Sequence, residues 1–220
     1  MKKGWAGLVS GGKDSILAVQ KAMDAGLRVT YLVCVRPDNP DSYMFHSANL
    51  DAVRLMAERG GMEYVEIKTP GEKEVEISDL ETGLSGLPLE GVITGAVESV
   101  YQKERIERVA ERLSLRVFSP LWQMDPLALI SEVALHMDAI IVVCAADGLD
   151  ESFLGEHFSP ELTERLKRVA AKRHIHLAGE GGEYESLVLN APFFSAPITY
   201  RSSEIISGGG RCMLRLGGFS

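Results

Sequence analysis

Apolar residues along this chain fall into two patterns, short unbroken runs and runs spaced three and four apart, and the patterns alternate. Trp5-Ala6-Gly7-Leu8-Val9 is short and wholly apolar, the mark of a buried strand. After it Ile16, Val19, Ala22 and Met23 recur at helical spacing until Gly26 supplies a stop. The β-branched run Val29 to Val35 predicts a second strand, ended by Arg36-Pro37. A polar loop, Asp38 to Phe45, then leads to His46 and a helix from about Ser47 to Arg59, closed by Gly60-Gly61. The same rhythm predicts strands at Tyr64 to Ile67, Val92 to Val97 and Arg116 to Ser119. Between them lie helices at Glu72 to Leu87, weakened by Gly83, and at Val100 to Leu113. Strands and helices alternating at this spacing predict an α/β fold built on a doubly wound parallel sheet, with ligands at the carboxyl ends of its strands.

The rhythm changes at Pro120-Leu121-Trp122-Gln123-Met124, which reads as a connector. Asp125-Pro126 starts a helix that runs to about His136, Ala139 to Ala145 is a strand, and Ser159-Pro160 starts a helix to about Arg173. From there the chain is glycine-rich and strand-like: Gly179 to Ser186, Leu187 to Leu189, Ile198 to Arg201, and Cys212 to Leu216 after a Gly208-Gly209-Gly210 turn. A boundary near Trp122 therefore separates residues 1–122 from a smaller α+β domain, 123–220.

Composition narrows the partners. With 220 residues the chain can bury a real core, and its net charge of −8 lacks the basic footprint of a nucleic-acid binder. Cys34, Cys144 and Cys212 show no C-x-x-C spacing, and two of them lie in apolar strands, which argues against a zinc site or disulfide framework and for a reducing cytoplasm. The longest apolar run, Ala139 to Ala146, is too short to span a bilayer. The lysines near the start precede an apolar run that ends too soon for a signal peptide.

The chemistry begins at Ser10-Gly11-Gly12-Lys13-Asp14-Ser15, between the first strand and the first helix. Two glycines let the backbone turn tightly, and the new helix adds unpaired N–H groups and the positive end of its dipole, so the turn is a phosphate cradle. It is not a Walker A loop, because Asp14 stands where that loop needs Ser or Thr, and Gly7 falls inside the strand. The stretch S-G-G-x-D-S instead resembles the pyrophosphate loop of the N-type ATP pyrophosphatases. That resemblance implies a Rossmann-like fold of the adenine nucleotide alpha hydrolase type and cleavage of ATP between its α- and β-phosphates. Lys13 would neutralise the departing pyrophosphate. Asp14 cannot face phosphate unaided, and so implies a bridging Mg²⁺.

Three further stretches narrow the family. Gly95-Ala96-Val97-Glu98-Ser99-Val100-Tyr101-Gln102, continuing to Arg105, follows the fourth strand, and Ser99 with Gln102 also reads as a capping box. Pro120-Leu121-Trp122 is the second, and Gly179-Glu180-Gly181-Gly182-Glu183-Tyr184-Glu185-Ser186 the third. With the phosphate loop they resemble the diphthine–ammonia ligase family from Gly7 to about Phe194, and Met44-Phe45-His46 with Asn49 resembles a further family stretch. Glu98 carries no assignment. The resemblance implies a ligase that amidates diphthine, the modified histidine of translation elongation factor 2, through an acyl-adenylate attacked by ammonia. ATP would be held by Ser10, Gly11, Gly12, Lys13, Asp14, Ser15, His46, Gly95, Tyr101, Gln102 and Arg105. Residues 123–220 would bind the substrate through Glu180, Gly182, Glu183, Tyr184 and Glu185. Tyr184 offers an aromatic face to the trimethylammonium group, and Glu183 is a candidate for taking a proton from ammonium.

Free ammonia is the expected nitrogen source, since the chain has no room for a glutaminase and no cysteine in a nucleophile turn. No nucleic acid and no membrane are expected as partners, and a homo-oligomer stays open. Two other readings of the superfamily, a tRNA-modifying enzyme and an ATP-binding sensor without chemistry, fit less well. Thiolation needs loop cysteines and an RNA surface, and the sensor is separated by whether pyrophosphate is released only with the protein substrate.

Overall fold

The computed structural model describes residues 3–38, 49–72 and 74–220. Its first part alternates strand and helix: β1 (Gly4–Leu8), α1 (Lys13–Asp24), β2 (Val29–Pro37), α2 (Ala52–Arg59) and β3 (Glu63–Thr69). It continues with α3 (Val75–Ser85), β4 (Leu89–Ile93), α4 (Val100–Arg112) and β5 (Arg116–Phe118). The five strands form one parallel sheet in the order β3-β2-β1-β4-β5. The chain leaves β1 and β4 toward opposite faces, and a crevice opens between their carboxyl ends.

Each face of this sheet has its own core. Helices α1 and α2 bring Ile16, Leu17, Val53 and Met56 to one face, while α3 and α4 bring Ile77, Leu80, Ile106 and Val109 to the other. Each such side chain, taken out of water, contributes roughly 1.5–3 kcal/mol.

The second part comprises α5 (Pro126–His136), β6 (Asp138–Cys144), α6 (Pro160–Arg173), β7 (Tyr184–Asn190), β8 (Ser202–Gly208) and β9 (Arg211–Gly217). Asp125 and Ser159 cap α5 and α6 by accepting the Ala128 and Leu162 amides, with Pro next in both. The four strands form an antiparallel sheet, β7-β6-β9-β8. The core on the α1/α2 face continues without a break into this sheet through Ile140, Ile141, Leu187 and Val188. Cys144 lies opposite Cys212 across β6 and β9; both thiols are free and buried, and burial pushes Cys144 up to about 12. Among the described residues no helix is long and apolar enough to cross a membrane.

Several boundaries differ from the sequence expectation. The strand expected at Val92 to Val97 starts at Leu89, where it pairs with Gly4, and ends at Ile93 so that the next residues can turn into the crevice. The strand expected at Gly179 to Ser186 starts only at Tyr184, because the residues before it form a tight loop. Ile198 to Arg201 is not a strand; Ser202–Gly208 is, as the edge partner of β9. That strand is mostly exposed, so it carries little hydrophobic signal.

The helix expected from Ser47 begins at Ala52, and Asn49 before it adopts the left-handed region with φ 57°. Its amide Nδ2 donates to the Leu214 carbonyl at 3.0 Å, and its Oδ1 accepts the Leu216 amide at 2.9 Å. Strand β6 pairs with β9 only at Val143 and Cys144, since Ile141 instead bonds Gly155 and Glu156. One side chain thus continues the ladder where a strand stops. Asn49→Ala should lower stability by about 1–3 kcal/mol, the cost of leaving such groups unpaired. Asn49→Gly, which keeps the backbone conformation and loses the same bonds, should also be destabilised in urea unfolding; a wild-type midpoint for both would remove the clamp from the stability of the fold.

Candidate active site

A cavity of about 460 Å³ occupies the crevice, enclosed by the phosphate loop, the segment after β4 and the glycine-rich loop before β7. Leu8, Val33, Val35 and Ile106 make one wall apolar. Asp14, Glu180 and Glu185 give the opposite end carboxylates.

The phosphate loop holds itself through short side chains. Gly11 has φ +83°, a conformation that favours glycine, and a Cβ there would lie 3.3 Å from side-chain atoms of Leu187, Met56 and Val53, which would have to give way slightly. Its carbonyl accepts the Val188 amide at 2.9 Å. Ser15 Oγ donates to the Gly12 carbonyl at 3.0 Å, and Ser10 Oγ accepts the Gly12 amide at 3.4 Å. The Lys13 amide donates to Ser186 Oγ at 3.0 Å, so a hydroxyl from β7 completes the loop. Gly95 is demanded by packing, since a Cβ would stand 2.7 Å from the backbone of Asp14 and Ser15.

Lys13 is 3% exposed. Its ammonium donates to Asp14 Oδ2 at 2.8 Å and to the Ala178 carbonyl at 2.6 Å, and lies 5.2 Å from the centre of the Tyr184 ring. Asp14 Oδ1 is buried without a hydrogen-bond partner among the described residues.

The glycine-rich loop is arranged around these two. Glu180 Oε2 accepts the Glu98 amide at 3.2 Å, and burial, with the Asp14 carboxylate next, raises its pKa above the usual carboxylate value. Glu185, also in the cavity lining, pairs with Arg211 at 3.0 Å.

Glu183 is where the sequence expectation changes. Its two oxygens accept the His176 and Gly181 amides at 2.7 and 2.8 Å, and it does not line the cavity. It shapes the loop, and the cavity-facing carboxylate of the pair is Glu180. Tyr184 changes too: it is buried, packs on Phe158, donates its hydroxyl to the Leu177 carbonyl at 2.9 Å and turns its face to Lys13. Burial above all keeps that hydroxyl protonated well past its ordinary range. The ring is part of the cavity lining and lies against the lysine ammonium. The acidic loop and the phosphate loop line one cavity, so the residues expected for substrate and those expected for ATP meet there.

On the α4 side, Ser99 caps the helix by accepting the Gln102 amide at 3.3 Å, and Tyr101 and Gln102 line the cavity. Arg105 stacks on Tyr101 with its guanidinium 3.4 Å from the ring centre and bonds Glu74 at 2.6 Å, behind the wall rather than in it. His46, with Met44 and Phe45, lies outside the described residues. Ser186, His176, Glu98 and the Ala178 carbonyl had no role in the sequence reading. Ser186 closed the glycine-rich motif and could have been suspected there, while the other three carry no local signal.

Known proteins resemble the chain over most of its length. Residues 2–117 match the family model of the diphthamide synthase N-terminal domain, and residues 125–214 that of its C-terminal domain. The chain is 33% identical to the diphthine–ammonia ligase of Danio rerio over 91% of its own length and 87% of that protein's. It is 33% identical to the Homo sapiens diphthine–ammonia ligase, covering 91% of this chain and 84% of that one. With the Schizosaccharomyces pombe diphthine–ammonia ligase it shares 34% identity over 96% of its length but spans only 38% of that larger protein. Among solved structures, a predicted subunit of tRNA methyltransferase from Methanocaldococcus jannaschii superposes with a TM-score of 0.50 at 13% identity, covering 87% of this chain and 98% of that one. At that identity the likeness concerns the fold alone.

The raised Glu180 pKa has a consequence for stability. The folded chain holds this proton more tightly than the unfolded chain, so the contribution is present at acid pH and lost as pH rises through the raised value. Glu180→Gln keeps an acceptor for the Glu98 amide and removes the charge. Its urea midpoint should exceed that of the wild type at neutral pH, and the gap should close as pH falls below the carboxylate range. A gap independent of pH would contradict the assignment.

Proposed function

The chain belongs to the diphthamide synthase family, and from that footing we propose that it uses ATP and free ammonia to amidate diphthine on translation elongation factor 2. The observation that supports this most is the closing of an acidic glycine-rich loop directly onto a pyrophosphatase-type loop around one cavity. Its apolar wall suits an adenine ring, and its polar end suits phosphates and a reacting carboxylate. The free, buried thiols of Cys34, Cys144 and Cys212 suit work in the cytoplasm.

Magnesium fits the polar end. Asp14 Oδ1 is a buried oxygen lacking a partner among the described residues. One carboxylate is too little for a dedicated cage, and Mg²⁺ is commonly held jointly by carboxylate, phosphates and water. Held there by Asp14, the ion would neutralise phosphate charge that this carboxylate otherwise opposes.

In the proposed reaction an oxygen of the diphthine carboxylate bonds to the α-phosphorus while the bridge to the β-phosphate breaks and pyrophosphate leaves. Lys13 supplies positive charge for that departure, and the turn at Gly11 and Gly12 positions the phosphates. Ammonia then bonds to the activated carbonyl carbon, AMP leaves with the bond's electrons, and the surplus proton passes to a carboxylate. Glu180 takes that proton in this scheme, because it faces the cavity and binds protons more tightly than an ordinary glutamate. With Glu185 it also gives the trimethylammonium of diphthine a negative surrounding.

Intact-mass measurement of a diphthine-bearing elongation factor, incubated with the protein, ATP and ammonium, should show the change from carboxylic acid to amide. Glutamine in ammonium-free buffer should not replace ammonium, and robust turnover with it would contradict the use of free ammonia. Lys13→Ala and Asp14→Ala should each lower pyrophosphate release by about 100-fold or more, the scale of losing a preorganised charge partner. A wild-type rate in either would take the loop out of the mechanism.

A further inference from the structure

The acidic loop owes its shape to a residue outside every motif. His176 stands three positions beyond the end of α6, and its Nδ1 lies 3.3 Å from both the Ala178 and the Glu180 amide nitrogens. Both amides donate to it, and a ring nitrogen that accepts carries no proton, so the ring proton belongs on Nε2. Nε2 is sealed from solvent and faces Glu98 Oε1 at 3.5 Å. Glu98 answers from its own backbone, its amide donating to Glu180 Oε2 at 3.2 Å. The His176 amide, finally, is one of the two that hold Glu183.

These bonds fix two groups that matter to the cavity. Ala178, whose amide His176 holds, presents its carbonyl to the Lys13 ammonium at 2.6 Å. Glu180, likewise held, presents its carboxylate beside Asp14. We infer that His176 is a positioning residue for the reaction proposed above: through Nδ1 it gathers the Ala178 and Glu180 amides and thereby sets the partners of Lys13 and Asp14. It does not itself line the cavity.

The test uses the full chain and two variants. In His176→Asn the side-chain oxygen can stand where Nδ1 stood, whereas His176→Leu fills space without an acceptor. Amide hydrogen exchange, followed by NMR, should show Ala178 and Glu180 losing protection by about tenfold or more in His176→Leu. In His176→Asn they should stay within about threefold of the wild type. In turnover, kcat should follow protection, falling in His176→Leu and recovering in His176→Asn. Unchanged protection in His176→Leu, or an equal loss in His176→Asn, would overturn the inference. Should His176→Leu fail to fold, His176→Ala, which removes the acceptor without adding bulk, takes its place in the same measurement, with the same outcomes. The exchange measurement rests on no turnover, so a wild type that never amidates diphthine would sink the proposed function and leave this inference to its own result.

Discussion

A buried ammonium governs this site. Lys13 is almost without solvent, and a charge taken out of water is tolerated only when partners replace the hydration it loses. Here the replacement is a carboxylate from the next residue, a carbonyl from far along the chain and the face of a buried tyrosine. Much of the glycine-rich loop can be understood as scaffolding for that carbonyl. Tyr184 is anchored by Leu177, Glu183 ties the loop's two ends, and His176 collects the amides between them. The cavity takes its form from this requirement as much as from any ligand.

The same charges account for the balance of the cavity. Once Lys13 is engaged by its partners, Asp14 and Glu180 leave an excess of negative charge at the polar end; burial first and the Asp14 carboxylate second raise the proton affinity of Glu180. A site of that sign accepts a triphosphate only along with cations, and it favours a quaternary ammonium on the other reactant. Both demands are met by the magnesium and diphthine of the proposed reaction, and by no feature of the apolar wall.

What was legible in the sequence was whatever the chain states locally. The phosphate loop could be read because strand, glycines and helix are consecutive, and the parallel sheet because each strand and helix carries its own apolar rhythm. The helix starts at Asp125-Pro126 and Ser159-Pro160 were readable for the same reason. Strand β8 was not, because an exposed edge strand has no buried face to mark it. Within the acidic loop, composition could not say which glutamate faces inward; backbone amides decided that by capturing Glu183 and leaving Glu180 to the cavity. Asn49 and His176 act on partners placed by the tertiary fold, and a lone polar residue beside a helix reads the same whether or not it holds anything.

The hydroxyl that completes the phosphate loop belongs to Ser186, 173 positions after the amide it receives. A ribosome delivers the chain from its amino end, so the strand, turn and helix of the nucleotide cradle emerge long before the residue that closes them. The nascent chain therefore carries the cradle's glycines without its finished geometry, and the lysine without the carbonyl that pairs it. On the proposed reading, the cradle for ATP reaches its finished geometry only after the loop before β7 and β7 itself have been made.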